Sequence, residues 1–570
     1  MTEESTAIKG MDALYEFERE PVSKDKLHSG KHFAGIYAGE HVAGTEFVIG
    51  ALFVTWGATA YNIFVGLLLG NLMAVLTWAL VCAPIAVRTR LTLYWYLRKI
   101  AGPVTTTVYN ILNAVLFCIL AGCMITVSAS AVRIPFNIPA QTNWYPQDIR
   151  FVLVVIGVGA VVVTLAILGF KKLAQFAEVC SPWMFLMFIA GAVAILPELS
   201  DRVLGGQMGS LSDFWKIANQ AVWTGKTPTG EAPATFWHVA AFAWICNLAM
   251  HGGLSDMALL RYAKKASYGL YSAFGMFLGH YLAWICAGIM GATTALIIGK
   301  TMGELDAGGV ANQALGITGI IAVVIAGWTT SNPTLYRAGL AFQAVTPGWP
   351  RWLVTLAAGV VTTAVACFPF VFLKLLGFVG LYGLLLMPVG AIVFVEHWIF
   401  PKIGFTQFWV SKKKLALSWP ALASWAIAML AALILWQTET VHLFFLFVPV
   451  WVLTALLYII FASMAGAREK FEDDIEDSAP QKIADEQTEP PVEMPGWTEQ
   501  PKNTDPVLWI CAIAAIASLA ACFILPIWVF RSSGENYDQN LEWFKQILIV
   551  PTLIYFLTGT IWAVKRNKVD

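Results

Sequence analysis

An all-α polytopic membrane protein is the fold class this sequence predicts, and three observations predict it. Of 570 residues, 58% are hydrophobic and 13% charged, too apolar a balance for a soluble globule. The apolar residues fall into runs of about 20, the length needed to cross a hydrocarbon layer of roughly 30 Å. Lys and Arg collect in alternate connections between those runs, as they do in loops kept on the cytoplasmic side.

Taken in order, the runs give fourteen spans, near residues 33–58, 61–87, 105–132, 150–170, 174–197, 235–260, 268–299, 312–331, 351–369, 372–400, 418–437, 441–466, 506–530 and 543–564. One set of alternate connections holds Arg88, Arg90, Arg98 and Lys99, then Lys171 and Lys172, then Arg261, Lys264 and Lys265, then Arg337 and Arg351, then Lys402 and Lys412 to Lys414. The other set is nearly bare, and its longest member, Pro197 to Thr235, is rich in Gly and Pro as an external loop would be. Residues 1–32 are polar and lack the short apolar core of a cleaved signal, so they read as a cytoplasmic tail and the first span is expected to direct insertion. Residues 33–466 read as a twelve-span core. The acidic, aromatic-poor stretch 467–505 reads as a disordered cytoplasmic linker, and 506–570 as a two-span hairpin with a short tail. An even number of spans puts both termini in the cytoplasm, and a bacterial inner membrane is the expected location.

Composition also excludes function classes. With 36 basic and 36 acidic side chains the net charge is zero, which gives no sign of a nucleic-acid partner. The nine Cys show no zinc or disulfide spacing. There is no HExxH, nucleophile elbow or phosphate loop, so an enzyme is not expected.

Polar residues within the spans carry the functional reading, because an ionisable side chain at mid-bilayer costs about 2.5–3.5 kcal/mol on insertion scales. In HVAGTEFVIG (41–50), Glu46 follows Gly44 and Thr45, which can interrupt a helix and free carbonyls for a cation or polar solute. A second reading leaves Glu46, or its neighbour Glu40, snorkelling toward the headgroups. In AGWTTSNPTLYRAGLA (326–341), Thr329 and Thr330 follow Ala326 at helical spacing, so two hydroxyls and one carbonyl can converge; Thr also commonly bonds back to its own helix. Asn332 before Pro333 marks a point where that helix can open. Asp256 and the basic residues after it read either as a site or as a charge cluster at the end of a span. Trp244, Asn247 and His251 recur at spacings of three and four and line one helix face, able to grip a planar heterocycle or simply to pack.

Three segments resemble one family. GLLLGNLMAVLTW (66–78), with Gly102-Pro103 beyond it, looks like the second helix of the nucleobase:cation symporter-1 family, the cytosine, purine, allantoin and hydantoin permeases. SDMALLRYAKK (255–265) is similar to that family's D-x-S-R-Y-x-K at the end of the sixth helix. GWTTSNPTLYRAGLA (327–341) closely resembles the W-T-T-N...L-Y-S-A-G-L of the eighth. The resemblance covers roughly residues 30–465 in matching order. It implies a LeuT-like architecture of two inverted five-helix repeats with broken first and sixth helices, plus two further helices. It also implies a sodium site made by Thr329, Thr330 and the Ala326 carbonyl, with carbonyls near Ala43 and Glu46 opposite. Substrate would lie between the first, third, sixth and eighth helices, against Gly44, Glu46, Phe117, Trp244, Asn247, His251 and Asn332. The chain departs from the family where hydantoin permeases hold their ring between two Trp: the matching places are near Ala114 and Asn247, and the family's glutamine falls near Cys118. Phe117 and Trp244 are expected to supply the rings instead.

The function expected is a secondary transporter coupled to sodium or protons, importing a small nitrogenous, nucleobase-like compound by alternating access, with no cofactor beyond the coupling ion. A cationic amine or amino acid as cargo, and a non-transporting receptor or scaffold, stand as alternatives.

Overall fold

The computed structural model describes residues 16–141, 143–369, 374–471, 505–532 and 534–566, and among these the regular elements are all helices. The first span is two helices, α1 (Gly30–His41) and α2 (Glu46–Thr55), parted at 42–45. Gly44 makes the break possible. A Cβ there would meet the Val127 side chain at 2.9 Å and the Val323 carbonyl at 3.1 Å, so only glycine lets the unwound segment lie this close to the third and eighth spans. Next come α3 (Ala60–Thr89), whose first turn is capped by Thr59 accepting from the Asn62 amide at 3.2 Å, and α4 (Leu93–Val132). Gly102, at φ 76°, and Pro103 kink α4 sharply, so that residues 93–101 form a separate arm ahead of the predicted span. Then follow α5 (Ile149–Ile167) and α6 (Phe170–Leu204).

The sixth span also breaks. α7 (Phe236–Ile245) stops at Cys246–Asn247, a single turn α8 (Leu248–His251) follows, and the chain passes through Gly252, Gly253 and a left-handed Leu254 before the turn Met257–Leu260. A Cβ on Gly390 would collide with the Gly252 carbonyl, so the tenth span packs directly on this break. The remaining long helices of the spans are α9 (Ala266–Ile298), α10 (Ile317–Gln343), α11 (Arg351–Ala366), α12 (Leu375–Phe394), α13 (Trp419–Gln437), α14 (Phe447–Ala465), α15 (Pro506–Phe530) and α16 (Ile549–Arg566).

Among the described residues, ten helices are long and apolar enough to cross a membrane. The four predicted spans outside that set have physical reasons. The first and sixth are interrupted, α11 has only 16 residues, and α10 carries the polar run 329–334. Leucine, isoleucine and valine stand exposed on the outer helices, as at Ile149, Leu153 and Ile156 on one face of α5, the pattern of a lipid-facing surface.

Two parts differ from the sequence reading. The C-terminal pair is not a bare hairpin: a helix spanning Glu535–Ile547, amphipathic in sequence, stands between α15 and α16, and the reading had merged its end into the last span. The pair is bonded to α6, through Trp183 Nε1 donating to Thr552 Oγ1 at 3.0 Å and the Tyr555 hydroxyl donating to the Val179 carbonyl at 2.7 Å. The intervening helix adds the Tyr537 hydroxyl to the Ala194 carbonyl at 3.1 Å. Most of the acidic linker, residues 472–504, and residues 1–15 of the tail lie outside the described residues.

The described part of the tail is a strap rather than a solvated end. Val22 exchanges bonds with Arg90, amide to carbonyl at 3.0 Å and guanidinium to carbonyl at 2.9 Å. Arg261 Nη1 donates to the Phe17 carbonyl at 2.6 Å, and Arg19 Nη2 to the carbonyls of Gln343 and Thr346 at 3.0 and 2.9 Å. The Phe170 amide donates to Glu16 at 2.7 Å, while Arg351 stands 3.5 Å from Glu16 and 3.6 Å from Glu18. Arg261 and Arg351, read from sequence as loop charges, are buried beneath this strap.

Candidate ion and substrate site

Where a helix is interrupted, carbonyls lose their partners and become ligands. The last turn of α1 presents such carbonyls toward α10. Thr329 and Thr330 hydroxyls donate to the Ala326 carbonyl at 3.1 and 3.0 Å, and Thr330 also reaches the Glu40 carbonyl at 2.7 Å. Hydroxyl and carbonyl oxygens from two helices thus converge in a buried place, a donor set that suits a small alkali cation. The Ala43 carbonyl lies one turn on from Glu40 and accepts the Glu46 amide at 3.1 Å, restarting the helix. The first-span carbonyl that α10 engages is therefore that of Glu40, a residue the sequence reading did not place in the site. Beside Thr329, Asn332 is 1% exposed and neither polar atom of its side chain has a partner. It borders a void of about 10 Å³ together with Ile36, Ala177, Thr329 and Pro333, room for about one water.

Glu46 starts α2, at the break as expected, and is buried rather than snorkelling. Its carboxylate does not face Thr329 and Thr330. It accepts from Trp284 Nε1 on α9 and lies 3.7 Å from His280 Nε2. His280 stacks on Trp284 with ring centroids 4.2 Å apart, and His41 approaches it edge-on at 5.1 Å. The break is thus flanked by two clusters, hydroxyl and carbonyl on the α10 side, imidazole and carboxylate on the α9 side, in place of one shared cavity.

A third cluster joins the two broken spans to α10. Arg337, assigned from sequence to a basic loop, lies inside α10 and is fully buried. It makes a two-pronged pair with Glu40, Nη1–Oε1 at 2.5 Å and Nη2–Oε2 at 2.9 Å, and donates from Nε and Nη2 to Asp256 Oδ1 at 3.0 and 2.5 Å. Asp256 Oδ2 accepts from Tyr37 at 3.1 Å and from Trp78 Nε1 at 2.5 Å. Asp256 is consequently a buried pairing residue and not an end-of-span charge, and Glu40 does not snorkel.

The proposed aromatic stripe does not survive the interruption of the sixth span. Trp244 turns outward, donating to Thr77 Oγ1 at 3.1 Å and meeting Phe447 edge-on at 4.5 Å. His251 donates from Nε2 to the Trp244 carbonyl at 2.9 Å and packs on Trp78 at 4.8 Å. Asn247 lies 3.5 Å from His280 Nε2, so it joins the α9 cluster. Phe117 is fully buried and meets Tyr382 of α12 at 6.0 Å. Sequence reasoning missed His280, Trp284, Tyr382 and the Arg337 pairings. The available signal for the last was Arg337 standing within the run 327–341 that resembles the family's eighth helix.

On the face opposite the strap, a vestibule of about 1160 Å³ opens among Trp56, Glu231, His238, Lys300, His442 and Phe444. His238 and His442 meet across it, ring centroids 4.8 Å apart.

The sequence matches no family model and no curated protein. Solved structures do match. Mhp1, a nucleobase-cation-symport-1 family transporter in a closed conformation with bromovinylhydantoin bound, is 15% identical, with a TM-score of 0.60 over 80% of this chain and 96% of that one. Mhp1 in an inward-facing conformation gives 0.58 at 15% identity, over 79% and 94%. A Na+-coupled sialic acid symporter, substrate-bound and outward-open, gives 0.57 at 14% identity, over 81% and 97%. At these identities the likeness is one of fold: the chain is an all-helical membrane protein with the LeuT architecture, its first and sixth spans broken.

Proposed function

We propose that this protein is a secondary transporter that moves a small nitrogenous, nucleobase-like solute together with a cation, by alternating access. One observation carries the reading: hydroxyls of Thr329 and Thr330 meet carbonyls of Ala326 and Glu40 between α1 and α10. A cation held there would tie the first span to the eighth, so that binding and release bear on their separation. The vestibule on one face and the strap on the other support a form accessible from the side opposite the N-terminus, which is the outside if the tail is cytoplasmic. Sodium is the ion this donor set fits.

In reconstituted vesicles, Thr330→Ala is expected to raise the sodium concentration for half-maximal uptake roughly tenfold, the effect of about one lost ligand interaction of 1.4 kcal/mol. An unchanged sodium dependence would count against the site. Competition by cytosine, uracil, hypoxanthine and allantoin tests the cargo. A second reading, an amine-bearing cargo, draws on Glu46, whose carboxylate stands at the break beside His280. Glu46→Gln is expected to flatten the pH dependence of uptake while leaving its sodium dependence in place. Unchanged responses to both would remove Glu46 from the mechanism.

A further inference from the structure

The pairing of Arg337 leaves a charge unbalanced. Every bond to the Asp256 carboxylate is donated to it, by Arg337, Tyr37 and Trp78, and both Glu40 oxygens accept from Arg337. Asp256 has both oxygens filled by donors, and Glu40 meets the guanidinium with both of its oxygens, the two-pronged pairing that an ionised carboxylate makes with arginine. Among the described residues no second Lys or Arg pairs with either of them. The cluster therefore carries two negative charges and one positive, in a place where Arg337 and Asp256 are fully buried and Glu40 is 3% exposed.

A surplus charge in such surroundings is costly unless something balances it. The balancing position is adjacent. Glu40 supplies both this carboxylate and the carbonyl that Thr330 reaches at 2.7 Å, and two residues beyond Thr330, on the small void that Thr329 also borders, lies Asn332 with two unpartnered polar atoms. We infer that Glu40, Asp256 and Arg337 set the affinity of the neighbouring cation site, the net negative charge of this triad being neutralised when a monovalent cation occupies the Ala326, Glu40, Thr329 and Thr330 oxygens. The triad also defines what the ion's departure does. It joins α1, the sixth span and α10, so losing the cation leaves the negative surplus where those three elements meet and weakens their hold on one another. The Glu40 and Asp256 carboxylates act through the field at the site and are not added ligands; what Glu40 lends the ion directly is its backbone carbonyl.

This inference rests on the cation-coupled reading above. It is tested on purified protein without any cargo, by following the melting temperature against sodium chloride at constant ionic strength with choline as the replacement. Sodium should stabilise the parent protein. Glu40→Gln and Asp256→Asn should each raise the half-maximal sodium concentration roughly tenfold or more, as loss of one unit charge at this range and low polarity requires. Glu40→Asp, which keeps the charge, should recover much of the parent value. A merely structural role would lower the melting temperature without sodium and leave the half-maximal concentration alone. That result in both neutralised variants overturns the inference while leaving the cation site standing, as does an equal shift in Glu40→Asp and Glu40→Gln. No sodium response in the parent protein would remove the cation site and the inference with it.

Discussion

Arg337→Gln is expected to abolish the folded protein. Removing the guanidinium leaves Glu40 and Asp256 facing each other as buried carboxylates, each stripped of a charge-assisted partner. Breaking a buried pair from one side costs about 3–5 kcal/mol, and here two pairs break at once. Against a total stability on the order of 5–15 kcal/mol, that is a large fraction. The measurement is the yield of monodisperse protein after detergent extraction, with melting temperature where any survives. Arg337→Lys keeps the charge but loses the planar fork that serves two carboxylates at once, so it should fold with a lowered melting temperature. A glutamine variant that extracts and melts like the parent would show that the carboxylates are balanced by some other means.

Deleting residues 2–20 is the second large effect. The strap joins Arg261 at the end of the sixth span, Gln343 at the end of α10, Phe170 at the start of α6 and Arg351 at the start of α11. Without it Arg261 loses the Phe17 carbonyl, and Arg351 loses the Glu16 and Glu18 carboxylates, 3.5 and 3.6 Å away. Faster hydrogen exchange is expected across 256–265 and 337–351, together with a fall in uptake of about tenfold, corresponding to about 1.4 kcal/mol shifted toward a form open on this face. Parent-like exchange in the truncated protein would make the strap a passive cover.

The spans were legible because a hydrocarbon layer imposes a length, and composition reports that length directly. The break in the first span was legible too, since Gly44 and Thr45 stand where an apolar run should be continuous, and the convergence of Thr329, Thr330 and Ala326 follows from helical spacing alone. What failed were inferences about partners. Arg337 looked like a loop marker because the rule for basic residues counts them without knowing which carboxylates lie across the fold. Glu40 and Asp256 are 216 residues apart in sequence (256 minus 40), and nothing local says that one guanidinium serves both. Trp244, Asn247 and His251 share a face only if the helix is continuous; it unwinds at Asn247, so each side chain goes to a different neighbour. Glu46 was correctly placed at the break and wrongly aimed, because the direction of a side chain at an interrupted helix is set by what packs against it. Here that is Trp284 and His280.

The C-terminal pair has a mechanical consequence. A fifth span that sits in bare lipid can bend freely, but α6 is bonded along its length at Val179, Trp183 and Ala194 to the C-terminal helices. It is splinted. Under the alternating-access reading proposed above, a splinted helix belongs to the part that stays still. Along the other flank of α6 runs a groove bordered by Ala34, Ala38 and Val42 of α1, Phe185 of α6, and Phe274 and Leu278 of α9. The first half of the broken span is held to that splinted rod, Ser181 Oγ donating to the Gly35 carbonyl at 3.1 Å and His32 Nδ1 standing 2.6 Å from Glu178.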